Sequence, residues 1–192
     1  MEDRHLSRDS AEYAEIVAEV FAETMKECAG RLVCGGPDTD ITPALMECLQ
    51  YIYLHGASPV REIAAGLEIS LSAASQLVDR LVKKGLATRG ENEQDRRLTS
   101  IDLTARGYEA VRKMRRAKSE WFDAIIQAMP HSQRRAFREG LEGFLKVALS
   151  GEDNVDRACV RCGREHVAFC VVNKIKNKRV AARSQRREEL KP

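Results

Sequence analysis

Residues 70–107 read SLSAASQLVDRLVKKGLATRGENEQDRRLTSIDLTARG, and a change of period inside this stretch decides the fold. From Ser70 to Gly85 the apolar residues keep helical spacing, with Ala74, Leu77, Val78 and Leu81 at i, i+3, i+4 and i+7. Ser70 suits the N-cap and Gly85 the terminus, so one helix is expected between them. Its opposite face carries Ser72, Ser75, Gln76, Asp79, Arg80 and Lys83 and, on this reading, no large apolar residue. After Gly85 the pattern alternates. LATRG and LTSIDLT flank the charged turn ENEQDRR, as expected of a β-hairpin with a long tip.

Upstream, the pattern is helical throughout. Ser10 can cap a helix whose stripe is Tyr13, Ile16, Val17, Val20, Phe21 and Met25, with Gly30 expected to stop it. Thr42 with Pro43 at the first helical position opens a second helix, buried through Leu45, Met46, Leu49 and Ile52 and ending at His55-Gly56. Ser58-Pro59 repeats the cap-plus-proline signal ahead of Val60, Ile63, Ala64 and Leu67. Downstream, Thr104 caps a helix marked by Tyr108, Val111, Met114, Trp121, Ile125, Ile126 and Met129, broken by Pro130. Ser132 starts a last helix with Phe137, Leu141, Phe144, Leu145 and Ala148 on one side.

This order is that of a winged helix-turn-helix framed by helices at both ends: a mainly α chain with a small β-hairpin wing. Two short consecutive helices, the second with a polar exposed face, are how a chain offers side chains to a DNA major groove. Taken alone, such a face is an ordinary solvated surface. Residues 41–107, however, resemble the MarR family of bacterial transcription regulators. The resemblance lies in SLSAASQLVDRLVKKGLATR and in DRRLTSIDLTARG, where Asp95 and Arg97 stand at the wing tip, Leu103-Thr104 end the second strand and Gly107 opens the next helix.

The resemblance implies a sequence-specific DNA-binding regulator, a repressor in the first instance, and no enzyme. It implies a homodimer in which residues 10–30 and 104–149 intertwine, reading a pseudo-palindromic double-stranded operator. Ser72, Ser75, Gln76 and Arg80 fall on the recognition helix, and many family members carry Arg where Gln76 stands. Arg97 is the expected minor-groove residue, held by Asp95, with Arg89 and Arg96 as phosphate partners. Effector sites vary within the family, which responds to small aromatic ligands, metals or oxidants, so no effector pocket is carried over.

Bulk properties fit this division. The 192 residues, 43% hydrophobic, suffice for one ordinary core and an appendage. The formal charge of +3 is uneven: Asn173–Pro192 hold eight Lys or Arg against two Glu, a net +6, which leaves −3 for residues 1–172. DNA contact in the body must therefore come from locally placed cations. No apolar run approaches the roughly 20 residues of a membrane span, and MEDRHLSRDS lacks the apolar stretch of a secretory signal. A cytoplasmic location without membrane contact is expected, where six cysteines point to core thiols or metal ligands rather than disulfides.

The expected organisation is an N-terminal dimerisation helix (1–35), a winged-helix domain (36–104), C-terminal dimerisation helices (105–150), a linker with a Cys/His module (151–172) and a basic tail (173–192). In CVRCGREHVAFC, residues 159–170, Cys159 and Cys162 form a Cys-x-x-Cys turn before Gly163, and His166 and Cys170 lie at i and i+4. These four residues can close a tetrahedral site suited to Zn²⁺. An iron–sulfur cluster, with His166, Cys28 or Cys34 as fourth ligand, is the alternative and would make the chain a redox sensor. A thiol or metal-dependent oxidoreductase is a third reading, disfavoured because a closed four-ligand site leaves no position for substrate. The plainest reading packs Cys170 with Phe169 and Val171 and leaves the other thiols on the surface. Cys48, beside the apolar stripe of its helix, is expected to be an inert core thiol.

Overall fold

The computed structural model describes residues 10–34, 41–91, 99–149, 158, 162 and 170–175. Its elements are α1 (Ala11–Cys34), α2 (Pro43–His55), β1 (Ser58–Pro59), α3 (Val60–Leu67), α4 (Leu71–Lys83), β2 (Ala87–Glu91), β3 (Thr99–Leu103), α5 (Ala105–Ala128) and α6 (His131–Ala148). The fold is mainly helical with a three-stranded antiparallel sheet in the order β1-β3-β2.

Hydroxyl caps set most helix starts as the sequence implies. The Ser10 hydroxyl accepts from the N–H of Tyr13 at 3.1 Å, and Thr42 accepts from Leu45 at 3.4 Å. Each satisfies one amide that the first helical turn leaves without an intrahelical partner. Three expectations fail. Gly30 does not stop α1, which continues to Cys34; a glycine inside a helix weakens it by only about 1 kcal/mol, too little to end it alone. Ser58-Pro59 is not a side-chain cap either. Both residues pair with β3 as a short third strand, Ser58 opposite Ile101 and Pro59 opposite Ser100. The Ser58 hydroxyl instead donates to the Gly56 carbonyl at 2.9 Å, and α3 begins after Pro59 with no side-chain cap. Pro59 is tolerated because β1 is an edge strand. α6 likewise starts one residue before the expected Ser132, directly after Pro130.

One core holds the winged helix together. Leu45, Leu49 and Ile52 of α2, Ile63 of α3, Val78 and Leu81 of α4, Ile101 of β3 and Val111 of α5 are all fully buried. Each such side chain contributes about 1.5–3 kcal/mol relative to exposure. α3 lies close under α2 because position 66 is glycine: a Cβ there would stand 2.0 Å from the Tyr51 ring.

The apolar face expected along α5 divides in two. Its first half, Val111 and Met114, enters the winged-helix core, whereas Ile125 is exposed. α1 and α6 meet through the Phe21 and Phe137 rings, edge-on with centroids 5.9 Å apart. Tyr13, Ile16, Val17, Val20 and Phe21 of α1 and Phe144 and Val147 of α6 nevertheless remain exposed, Val147 to 75%. Beyond α6, residues 171–175 form one helical turn. Its Val172 and Ile175 are buried in a small cluster with Leu149, Cys170 and Val171.

Candidate nucleic-acid interface

α4 is fixed on its apolar side and free on the other. Ser70 accepts the N–H of Ala73 at 3.1 Å, and Ala74, Val78 and Leu81 are buried, so the helix cannot roll. Ser72, Gln76, Asp79, Arg80 and Lys83 are exposed and Ser75 half-buried. The Ser75 hydroxyl donates to the Leu71 carbonyl at 2.9 Å, which commits its proton and leaves lone pairs for an outside donor. Leu71, the first residue of α4 and outside the expected polar face, is 58% exposed. As a residue beside the cap it belonged to neither face of the heptad pattern, and only its position in the turn could have revealed it.

The turn from α3 to α4 passes through Glu68, which caps α3 in the left-handed region with φ 54°. That backbone usually falls to glycine. Beyond α4, Gly85 at φ 67° turns the chain into β2.

The wing is bound to α4 in two places. Arg89 of β2 forms an ion pair with Asp79 of α4, both side chains about half exposed. Arg89, expected as a phosphate partner, thus has a carboxylate already beside it. At the base, Thr104 joins α5 to the turn after α4: its hydroxyl accepts the N–H of Gly107 at 3.2 Å as the α5 cap and donates to the Gly85 carbonyl at 2.7 Å. Gly107 has a steric reason to be glycine, since a Cβ there would lie 2.0 Å from the Leu86 carbonyl oxygen. Strand pairing follows the expected hairpin, from Ala87 opposite Leu103 to Glu91 opposite Thr99. The tip with Asp95, Arg96 and Arg97 lies outside the described residues.

A capped α4 following a short α3, with a hairpin tied to its flank, is the geometry of a winged helix-turn-helix. Residues 39–98 match the MarR family. The chain is similar to the HTH-type transcriptional repressor MdtR of Bacillus subtilis, with 39% identity over 67 residues, 35% of this chain and 43% of MdtR. The chain thus spans less than half the length of that relative. Among solved structures, RV1404 from Mycobacterium tuberculosis superposes with a TM-score of 0.67 at 22% identity, over 77% of this chain and 99% of that one. Streptococcus pneumoniae FabT in complex with DNA gives 0.59 at 20% identity, over 71% and 95%. At these identities the structural likeness carries the MarR fold, including the terminal helices that the matched segment 39–98 omits.

The cysteines fall into different environments. Cys48 is fully enclosed, and burial pushes its thiol up to about 12. Cys28 is also buried. Of the four residues expected to hold a metal, Cys162 is exposed and Cys170 half-buried against Val172 and Ile175, while Cys159 and His166 lie outside the described residues, as does the side chain of Cys34. Among the described residues no three His, Cys, Asp or Glu side chains come together as a metal site.

Cavities among the described residues include two beside the winged helix and the terminal helices. One of about 600 Å³ lies between the end of α2 and the outer face of the sheet, lined by Tyr51, His55, Glu62, Glu91 and Asp102. Tyr51 stacks on His55 at 4.3 Å, and its phenol is raised by burial and by the nearby Glu62 carboxylate. The other, about 560 Å³, lies between α5 and α6 with Phe122, Ile126, Phe137 and Leu141 beneath Arg134 and Arg138. Among the described residues no helix is long and apolar enough to cross a membrane.

Proposed function

We propose that the chain is a homodimeric, sequence-specific DNA-binding transcriptional regulator of MarR type that represses its targets. The observation that carries this reading is α4: rigidly capped and buried on one side, it offers Ser72, Gln76 and Arg80 outward beside a wing tied to it through Asp79 and Arg89. Gln76 can pair bidentately with adenine in the major groove, and Arg80 and Lys83 can meet phosphate. Arg97, followed from the motif, reaches the minor groove with Asp95 holding it and Arg96 on the backbone.

The exposed stripes of α1 and α6 support the dimer, since contiguous apolar surface of this extent is uncommon on a monomer. An effector that binds one spacing of the two recognition helices better than the other would alter operator affinity. The cavities on the α5–α6 and α2–sheet sides give such a molecule room.

The experiment is enrichment of duplexes from a random pool by the full chain. An inverted repeat should emerge, and Gln76→Ala and Arg97→Ala should each weaken its binding tenfold or more without changing the melting temperature. Enrichment of no sequence, or unchanged affinity in both variants, would remove α4 and the wing from the account.

For the appendage, the donor set of Cys159, Cys162, His166 and Cys170 suits Zn²⁺ held in a closed, structural site. Protein purified without oxygen should be colourless, with one zinc per chain. A brown sample containing iron and acid-labile sulfide would replace zinc by the cluster and make the module a redox sensor.

A further inference from the structure

We propose that Leu71 is a specificity-determining residue that packs against the C5 methyl group of one thymine in each half of the operator. The inference rests on the DNA-binding reading above and adds a base contact to it.

Single exposed leucines are common on protein surfaces. Leu71 is set apart by where it stands. The other large apolar side chains that are exposed, among the described residues, all belong to α1, α5 and α6. Leu71 alone among them lies in the winged helix, at the first position of α4. The N-terminal turns of a recognition helix are the part that meets base edges.

Its neighbours settle what it can recognise. The Ser70 hydroxyl accepts from the N–H of Ala73 and keeps its proton, and the Ser75 proton goes to the carbonyl of Leu71 itself. The start of α4 thus offers the hydroxyls of Ser70 and Ser72 and one isobutyl group, that of Leu71, with Gln76 one turn further on. In the major groove the thymine methyl is the apolar group that a base edge presents. A branched aliphatic side chain gains by covering it and gains nothing at cytosine, which lacks the methyl and offers an N–H donor instead.

The test uses the full-length protein and the duplex enriched from the random pool, with each thymine replaced singly by uracil, which differs only in that methyl. One replacement per half-site should weaken wild-type binding about three- to fivefold, the value of burying one methyl. Leu71→Ala should bind the thymine duplex correspondingly more weakly and lose the thymine–uracil difference at that position, with an unchanged melting temperature. Indifference of the wild type to every replacement would overturn the inference while leaving the DNA-binding reading intact. So would a thymine–uracil difference that persists in Leu71→Ala, or an effect of that substitution on particle mass alone, which would assign Leu71 to a protein contact. Failure to enrich any duplex would overturn the reading and the inference together.

Discussion

At the scale of single residues, two positions carry consequences out of proportion to their size. Gly107 sits where the backbone of Leu86 crosses the start of α5, with 2.0 Å for a Cβ that needs much more. The obstacle is a main-chain carbonyl between two secondary-structure elements, so it cannot rotate aside. Gly107→Ala should destabilise the protein by about 2–3 kcal/mol, the upper part of the range for overpacking, read as a lower urea midpoint with an unchanged slope. Cys48 behaves in the opposite way, as a residue whose chemistry is suppressed. Its thiol is raised by burial from 9.0 to about 12, so at alkaline pH the unfolded chain loses this proton first. Above pH 9 the unfolded state then binds fewer protons than the folded state, and stability falls as pH rises towards 12. Cys48→Ala should flatten that alkaline decline; an identical pH profile in the variant would show that Cys48 has no part in it. The sequence indicated both residues, one through its motif and one through its helix stripe. The Leu86 carbonyl that makes Gly107 necessary is a tertiary neighbour across a turn, which no periodicity encodes.

At the scale of elements, the winged helix was largely legible because its signals are local. Ser10, Thr42, Ser70 and Thr104 cap helices as their spacing implies, and the period changes at Gly85 where the hairpin begins. The failures arise where a partner distant in sequence decides. Ser58-Pro59 became a strand because β3 offered an open edge, and α1 ran through Gly30 because the residues around it sustain the helix. The pairing of Arg89 with Asp79 belongs to the same class, joining positions ten residues apart on a helix and a strand. An exposed pair of this kind adds less than about 1 kcal/mol to folding. Its value lies in fixing the wing against α4. Asp79→Ala should leave the melting temperature within a degree or two. It should also tighten DNA binding at low salt and steepen the salt dependence by about one unit per protomer, as Arg89 turns to phosphate. An unchanged salt slope would mean that Arg89 does not reach the duplex.

At the scale of the whole molecule, the apolar stripes of α1, α5 and α6 were legible as stripes, and the structure leaves much of them exposed: Phe144 is 66% exposed, and Val147, outside the expected stripe, 75%. A second copy of the chain covers them in the proposed assembly. Phe144→Glu with Val147→Glu should therefore convert a two-chain particle to a single chain in sedimentation while the far-ultraviolet spectrum of the winged helix persists. The candidate metal module was legible only as spacing, because a ligand set names its residues before any geometry joins them. The described part of the appendage packs Val172 and Ile175 with Leu149, at the end of α6, so a change there has a physical path to α6. The central claim is that two copies of α4, held at a fixed spacing, read one duplex. It is tested most directly by titrating the enriched duplex with the full chain and reading stoichiometry and affinity together by fluorescence anisotropy. The account predicts saturation at two chains per duplex, and loss of tight binding when the two half-sites are separated by an additional half-turn of about 5 base pairs. One chain per duplex, or affinity indifferent to half-site spacing, would contradict it.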